Sequence, residues 1–130
     1  MRTTQGEPEA MLPLTPAVFH ILLALADGER HGYSIMQEIA AQTGGQIRIG
    51  PTTLYRSIKH MLADGLIVEA DERPDPALDD ERRRYYRLTT FGERVAQAET
   101  QRLARMLAVA QTKSLLGGVI PTSSFGIREA

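Results

Sequence analysis

The chain has 130 residues, a net charge of -1 and neither Cys nor Trp. Its length suits one small domain, and its composition excludes disulfides, a thiolate nucleophile and a Cys-based zinc site. With 42% apolar and 24% charged residues the chain is expected to fold, and with neither an apolar run near the ~20 residues of a membrane helix nor an apolar N-terminal leader it is expected in the cytoplasm, without a membrane partner.

Residues 1 to 13 hold Gly6, Pro8 and Pro13 without periodicity and are expected to form a flexible arm. Thr15 is a good N-cap with Pro16 at the first helical position, and Val18, Ile21, Leu22 and Leu25 follow at i, i+3, i+4 and i+7, predicting a first helix to about Ala26. Asp27-Gly28 stops it. A second helix starts near His31 or Gly32, carries Ile35, Met36 and Ile39 on its apolar face, and ends at Gly44-Gly45. Tyr33, at its start, is expected to pack against the first helix or the hairpin.

Gln46 to Ile49 alternates enough for a very short strand, and Gly50-Pro51-Thr52 turns the chain into a third helix. There Leu54, Ile58, Met61 and Leu62 form the core stripe, while Thr53, Arg56, Ser57, Lys59 and His60 take the opposite face. Gly65 closes it. Leu66-Ile67-Val68 opens a strand into the acidic stretch Asp71 to Glu81, and Tyr85 to Leu88 is the returning strand of a hairpin. Thr89 or Thr90 caps the last helix, Thr90 with Glu93 fitting a capping box. From there nothing but Gly92 interrupts the pattern up to Leu116, a span of ~40 Å at about 1.5 Å per residue. Leu103, Met106, Leu107, Val109 and Ala110 cover more than one narrow stripe, so the far part needs a second surface, for which a partner helix is the simplest answer. Residues 117 to 130 are expected to be a flexible tail.

The net charge hides two basic islands. Residues 44 to 63 carry Arg48, Arg56 and Lys59 with no acid, and residues 82 to 87 carry four arginines with no acid, whereas residues 71 to 81 hold six acids against Arg73. A locally basic face can bind DNA on an acidic protein, because counter-ion release depends on the surface that touches phosphate. Catalysis has no comparable footing: there is no Gly-rich phosphate loop, no nucleophile elbow and no carboxylate pair with a candidate base, and His20, His31 and His60 have no metal-ligand spacing. No enzyme activity, metal or cofactor is expected.

Three short helices, a β-hairpin and a closing long helix form a mainly α chain with a small β-hairpin, the order of a winged helix-turn-helix with a dimerisation helix. The runs Leu14-Thr15-Pro16, His31-Gly32-Tyr33, Pro51-Thr52-Thr53-Leu54-Tyr55, Asp64-Gly65-Leu66-Ile67 and Arg83-Arg84-Tyr85-Tyr86-Arg87-Leu88-Thr89, with Gly92 following, closely resemble the PadR family of bacterial transcriptional regulators, in its smaller branch with a single long C-terminal helix. The resemblance covers roughly residues 12 to 110. It implies a homodimeric DNA-binding repressor, often one released by a small aromatic or hydrophobic compound. Two departures stand out: Arg56 occupies a position where family members often have proline, and the stretch from Asp71 to Glu81 is longer than the usual wing.

Residues 14–89 are then the DNA-binding winged helix and residues 90–116 the dimerisation helix. The expected DNA-contact set is Thr52, Thr53, Tyr55, Arg56, Lys59 and His60 on the third helix, with Arg82 and Arg83 on the wing, since an acidic wing tip is repelled by phosphate. Strand alternation puts Arg82, Arg84 and Tyr86 on one face and Arg83 with Tyr85 on the other. Two-fold symmetry calls for an inverted-repeat operator on double-stranded DNA. Phe19, Leu22, Leu23, Leu103, Met106 and Leu107 are the candidate lining of an apolar effector cavity, or else a filled dimer core. The rival from another class is a dimeric interaction adaptor that keeps the winged scaffold without DNA, for which Arg56, Lys59 and Arg83 have no use.

Overall fold

A computed structural model describes residues 6–70, 73–74 and 82–117, with only the backbone described at 73, 74, 82 and 83. The start of the expected arm, the wing tip apart from residues 73 and 74, the side chains of Arg82 and Arg83, and the tail from residue 118 lie outside the described residues. The chain divides into two compact units, Met1–Glu99 and Thr100–Ala130.

In the first unit a single 3-10 turn, Pro8–Met11, precedes α1, Pro16–Leu25. Part of the expected arm is thus built: Met11, Leu12 and Leu14 pack on the core, and the Leu14 N–H donates to Glu99 Oε2 at 3.0 Å. Glu99, though charged, is only 2% exposed. Local periodicity carries no trace of this segment because its order comes from tertiary contacts. Thr15 caps α1 as expected, its hydroxyl accepting from the Val18 N–H.

Arg30–His31 form a two-residue strand, β1, directly before α2, Gly32–Gln42. His31 caps α2, its Nδ1 accepting the Ser34 N–H at 3.1 Å. Arg30 ties the corner together: Nε donates to the Ala24 carbonyl at 2.7 Å, Nη1 to Ser34 Oγ at 3.1 Å, and Nη2 faces Asp27 and Glu38 at 3.5 and 3.3 Å. The strand expected over Gln46–Ile49 does not form. Thr43 Oγ1 accepts the Ile47 N–H at 3.0 Å, taking a donor that a ladder would need, and β1 occupies the free edge of the sheet instead.

The third helix, α3, runs Pro51–Ala63, followed by β2 at Ile67–Glu69, β3 at Arg73–Pro74, β4 at Arg82–Arg83, β5 at Tyr85–Leu88 and α4 at Thr90–Thr112. The sheet has the order β1-β5-β2, all antiparallel, with Tyr86 opposite Arg30 on one side and Glu69 on the other. A second ladder, β3-β4, pairs Arg73 with Arg83 and Pro74 with Arg82, so the predicted hairpin continues into the wing. Ile21, Leu22, Ile35, Ile39, Leu54, Met61, Leu66 and Val95 close the core at no more than 1% exposure, each such side chain contributing about 1.5–3 kcal/mol relative to exposure. Leu62, expected in that stripe, is exposed, since it falls at the edge of the buried arc.

Thr89, not Thr90, caps α4. Its Oγ1 accepts the Gly92 N–H at 2.8 Å and lies 2.6 Å from the Gly65 carbonyl, which its hydroxyl can donate to, while its own N–H donates to the Leu66 carbonyl at 3.1 Å. With Thr89 as cap, the third helical position is Gly92 rather than Glu93, so no capping box forms. A Cβ on Gly92 would collide with the Leu66 carbonyl oxygen; the glycine lets α4 lie against the backbone leading into β2.

The second unit holds the rest of α4, which stops at Thr112, short of the expected Leu116, where the Thr112 hydroxyl donates to the Val109 carbonyl at 2.6 Å and Ser114 turns to positive φ. Leu103, Met106 and Val109 are exposed there by 37, 56 and 57%. Among the described residues no helix is long and apolar enough to cross a membrane.

Candidate nucleic-acid interface

The polar face of α3 is built by its 3.6-residue period. Leu54, Ile58 and Met61 point into the core, which turns Thr52, Thr53, Tyr55, Arg56, Lys59 and His60 outward, and all six are exposed. Thr52, Tyr55, Arg56 and Lys59 follow i, i+3, i+4 and i+7, one continuous stripe with two cations and no carboxylate. Gly50 precedes the helix and Pro51 takes its first position, so α3 enters without an N–H to satisfy at that point. The arrangement has what major-groove readout requires: cations for phosphates, and hydroxyl, imidazole and guanidinium groups for base edges.

The structure brings these six expected residues together on one face. The backbones of Arg82 and Arg83 lie in β4, on the wing ladder; their side chains are outside the described residues. Arg84 falls between β4 and β5, with its Nε 3.3 Å from Glu69 Oε2. As alternation predicts, it shares a side with Tyr86, since both line one pocket with His31, Gly32 and Tyr55. Tyr85 instead meets His31 edge to face, at 5.4 Å between ring centroids.

Two residues outside the expected set line a groove between α2 and the loop before α3. Arg48 is exposed in the loop before α3, and lines a groove of about 410 Å³ with Tyr33, Met36, Gln37, Ala40 and Ile49. Its place in the first basic island was the signal for it. Tyr33 is 53% exposed rather than packed away, because its position in the first turn of α2 lies off the stripe that Ile35 and Ile39 bury.

The candidate effector residues divide. Leu22 is fully buried in the core of the first unit and cannot line a cavity; one turn of α1 puts it on the innermost stripe with Ile21 and Leu25. Phe19 and Leu23 are half-buried in that unit, while in the second unit Leu103 and Met106 are exposed and Leu107 is half-buried. Among the described residues no group of three His, Asp or Glu side chains is placed to hold a metal ion.

Residues 21–98 match the model of the family described as transcriptional regulator PadR-like. The chain is 36% identical over 107 residues to the transcriptional regulator Rv3488 of Mycobacterium tuberculosis, a match that covers 82% of this chain and 89% of that one. Among solved structures, a transcriptional regulator from Clostridium thermocellum superimposes with a TM-score of 0.61 at 25% identity, covering 74% of this chain and 87% of that chain. The fold is also that of Bacillus subtilis PadR, solved in complex with operator DNA, with a TM-score of 0.54 at 21% identity over 62% of this chain and 45% of that one. The first two are described as transcriptional regulators, and the third was solved on operator DNA. With the winged-helix order, the outward polar stripe of α3 and the family match over most of the first unit, this chain belongs to the PadR-like family of transcriptional regulators.

Proposed function

We propose that this protein is a homodimeric, sequence-specific DNA-binding repressor of the cytoplasm. The observation that carries the reading is the outward face of α3, where Thr52, Thr53, Tyr55, Arg56, Lys59 and His60 stand exposed with no acid among them. In this reading α3 enters the major groove, Arg56 and Lys59 hold phosphates or purine edges, and on the wing Arg83 reaches the flanking minor groove while Arg82, on the other face of the strand, is left to a phosphate. The exposed apolar residues of the second unit, Leu103, Met106 and Val109, support the dimer, since a surface of this kind is covered at lower free energy by a second copy than by water. The two α3 helices of the dimer then read half-sites of an inverted repeat about one helical turn, ~34–36 Å, apart. Release by a small hydrophobic effector completes the reading. It works by changing the separation of the two α3 helices, and an unchanged separation on effector-driven release from DNA would count against it.

The test is binding to duplexes selected from a random pool, across a salt series, beside Arg56→Ala and Lys59→Ala. The expected outcome is tight binding that falls steeply with salt, with each variant about 10-fold weaker and its log-log salt slope reduced by about 1. Failure to enrich any duplex, with binding indifferent to both substitutions, would overturn the DNA reading in favour of an interaction adaptor.

A further inference from the structure

Three of the runs that carry the family resemblance, far apart in the chain, meet at one place. His31 and Gly32 at the start of α2, Tyr55 of α3, and Arg84 and Tyr86 beside and on β5 line a pocket of about 140 Å³. Tyr86 is only 4% exposed, yet it lines this opening. Its hydroxyl has no hydrogen-bond partner among the described residues. A tyrosine buried to this degree ordinarily places its O–H against an acceptor. Burial and, after it, the nearby Glu69 carboxylate and Tyr55 hydroxyl hold its proton on, against a smaller opposite effect of Arg84, so the group is a neutral donor.

The rest of the wall suits an anion. The Tyr55 hydroxyl rests against Gly32 so closely that a Cβ there would collide with it, and the glycine keeps the first turn of α2 within reach of the pocket. α2 has 11 residues, and its N-terminus presents backbone N–H groups and a positive partial charge. Because His31 Nδ1 accepts the Ser34 N–H, its own ring proton belongs on Nε2. Among the described residues the carboxylate that acts on Tyr86 is Glu69, and it lies 3.3 Å from the Arg84 guanidinium, which offsets its charge. Tyr55 also belongs to the polar stripe of α3, so the pocket borders the face that carries Arg56 and Lys59.

We propose that this pocket is a phosphate seat, in which an oxygen of one DNA backbone phosphate per half-site accepts hydrogen bonds from the Tyr86 and Tyr55 hydroxyls at the start of α2. The assignment rests on the DNA-binding reading and adds a fixed anchor that sets the register of α3 without reading sequence.

Tyr86→Phe and Tyr55→Phe remove only the hydroxyls. Each variant is expected to bind duplex DNA about 10-fold more weakly, by the same factor on the selected site and on random sequence. The salt slope should stay unchanged, because a neutral hydroxyl displaces no counter-ion. Methylphosphonate placed at each phosphate of the selected site in turn should weaken the wild type strongly at one position per half-site, and weaken Tyr86→Phe no further there. Melting curves control for folding, and Tyr55→Phe, at a 48% exposed position, carries the test if Tyr86→Phe melts early. Wild-type affinity for both variants, while Arg56→Ala remains defective, would overturn the seat and leave the DNA reading standing; failure of the wild type to bind any duplex would overturn both. Inorganic phosphate compared with chloride at equal ionic strength separates the two sources of the group. A phosphate-dependent rise in melting temperature that Tyr86→Phe abolishes, with DNA binding unaltered, would overturn the backbone assignment and make free phosphate the occupant.

Discussion

In α3 the apolar stripe Leu54, Ile58 and Met61 is at most 3% exposed, whereas past Glu99 the apolar residues Leu103, Met106 and Val109 of α4 are exposed by 37, 56 and 57%. Both segments are amphipathic helices of ordinary composition. The first covers its stripe with the core of its own unit; the second has none of its stripe buried to that degree. The near end of α4 shows that the helix itself is not the cause, since Phe91, Val95, Ala98 and Glu99 are all buried. Amphipathic periodicity therefore reports that a face needs covering. Whether the cover comes from the same chain or from another is a matter of what the rest of the fold supplies.

The most severe way to break this contrast is to unseat the near end of α4. Gly92→Ala forces a methyl group against the Leu66 carbonyl, which is backbone and cannot swing aside; the expected cost is ~3 kcal/mol or more in denaturant titration, enough to leave part of the protein unfolded. A milder intervention acts on the far end alone. If the proposed dimer forms through this face, Leu103→Glu combined with Met106→Glu should shift it to monomer in sedimentation experiments, weakening association roughly 100-fold or more, with helix content by circular dichroism retained. A double variant that stays dimeric would place the dimer surface elsewhere.

The smallest effect sharpens the description of the buried side. The pKa of Tyr86 is raised from 10.0, chiefly by burial and then by Glu69 and Tyr55. The folded state thus holds the phenol proton more tightly than the unfolded chain, so this contribution to stability is complete below pH 10 and lost as pH rises above it. Denaturation midpoints measured from neutral pH upward should fall less steeply in Tyr86→Phe than in the wild type, and an identical slope would mean that Tyr86 titrates alike in both states.

Much of the local structure is legible because it depends on neighbours in the chain. Thr15-Pro16 starts α1, Gly44 and Gly45 end α2 with positive φ, and the outward stripe of α3 follows from Leu54, Ile58 and Met61 taking the inner one. The misses share a different property. β1 exists only because Arg30 and His31 find Tyr86 and Tyr85 across more than fifty residues of sequence, and Gln46–Ile49 is not a strand because Thr43 engages its backbone first. The turn at Pro8–Met11 has no periodicity to read; its neighbour Leu14 is held by a carboxylate 85 positions away.

The candidate site divides along the same line. Composition and spacing alone determined that this chain is mainly helical with two basic islands, and which residues of α3 face away from the core, because helical period and charge are local properties. Only the tertiary structure decided that Leu22 belongs to the core, that Tyr33 and Arg48 border one groove, and that His31, Gly32, Tyr55, Arg84 and Tyr86 surround a single pocket. These are juxtapositions between elements, and they are set by how side chains fill a shared interior rather than by any spacing along the chain.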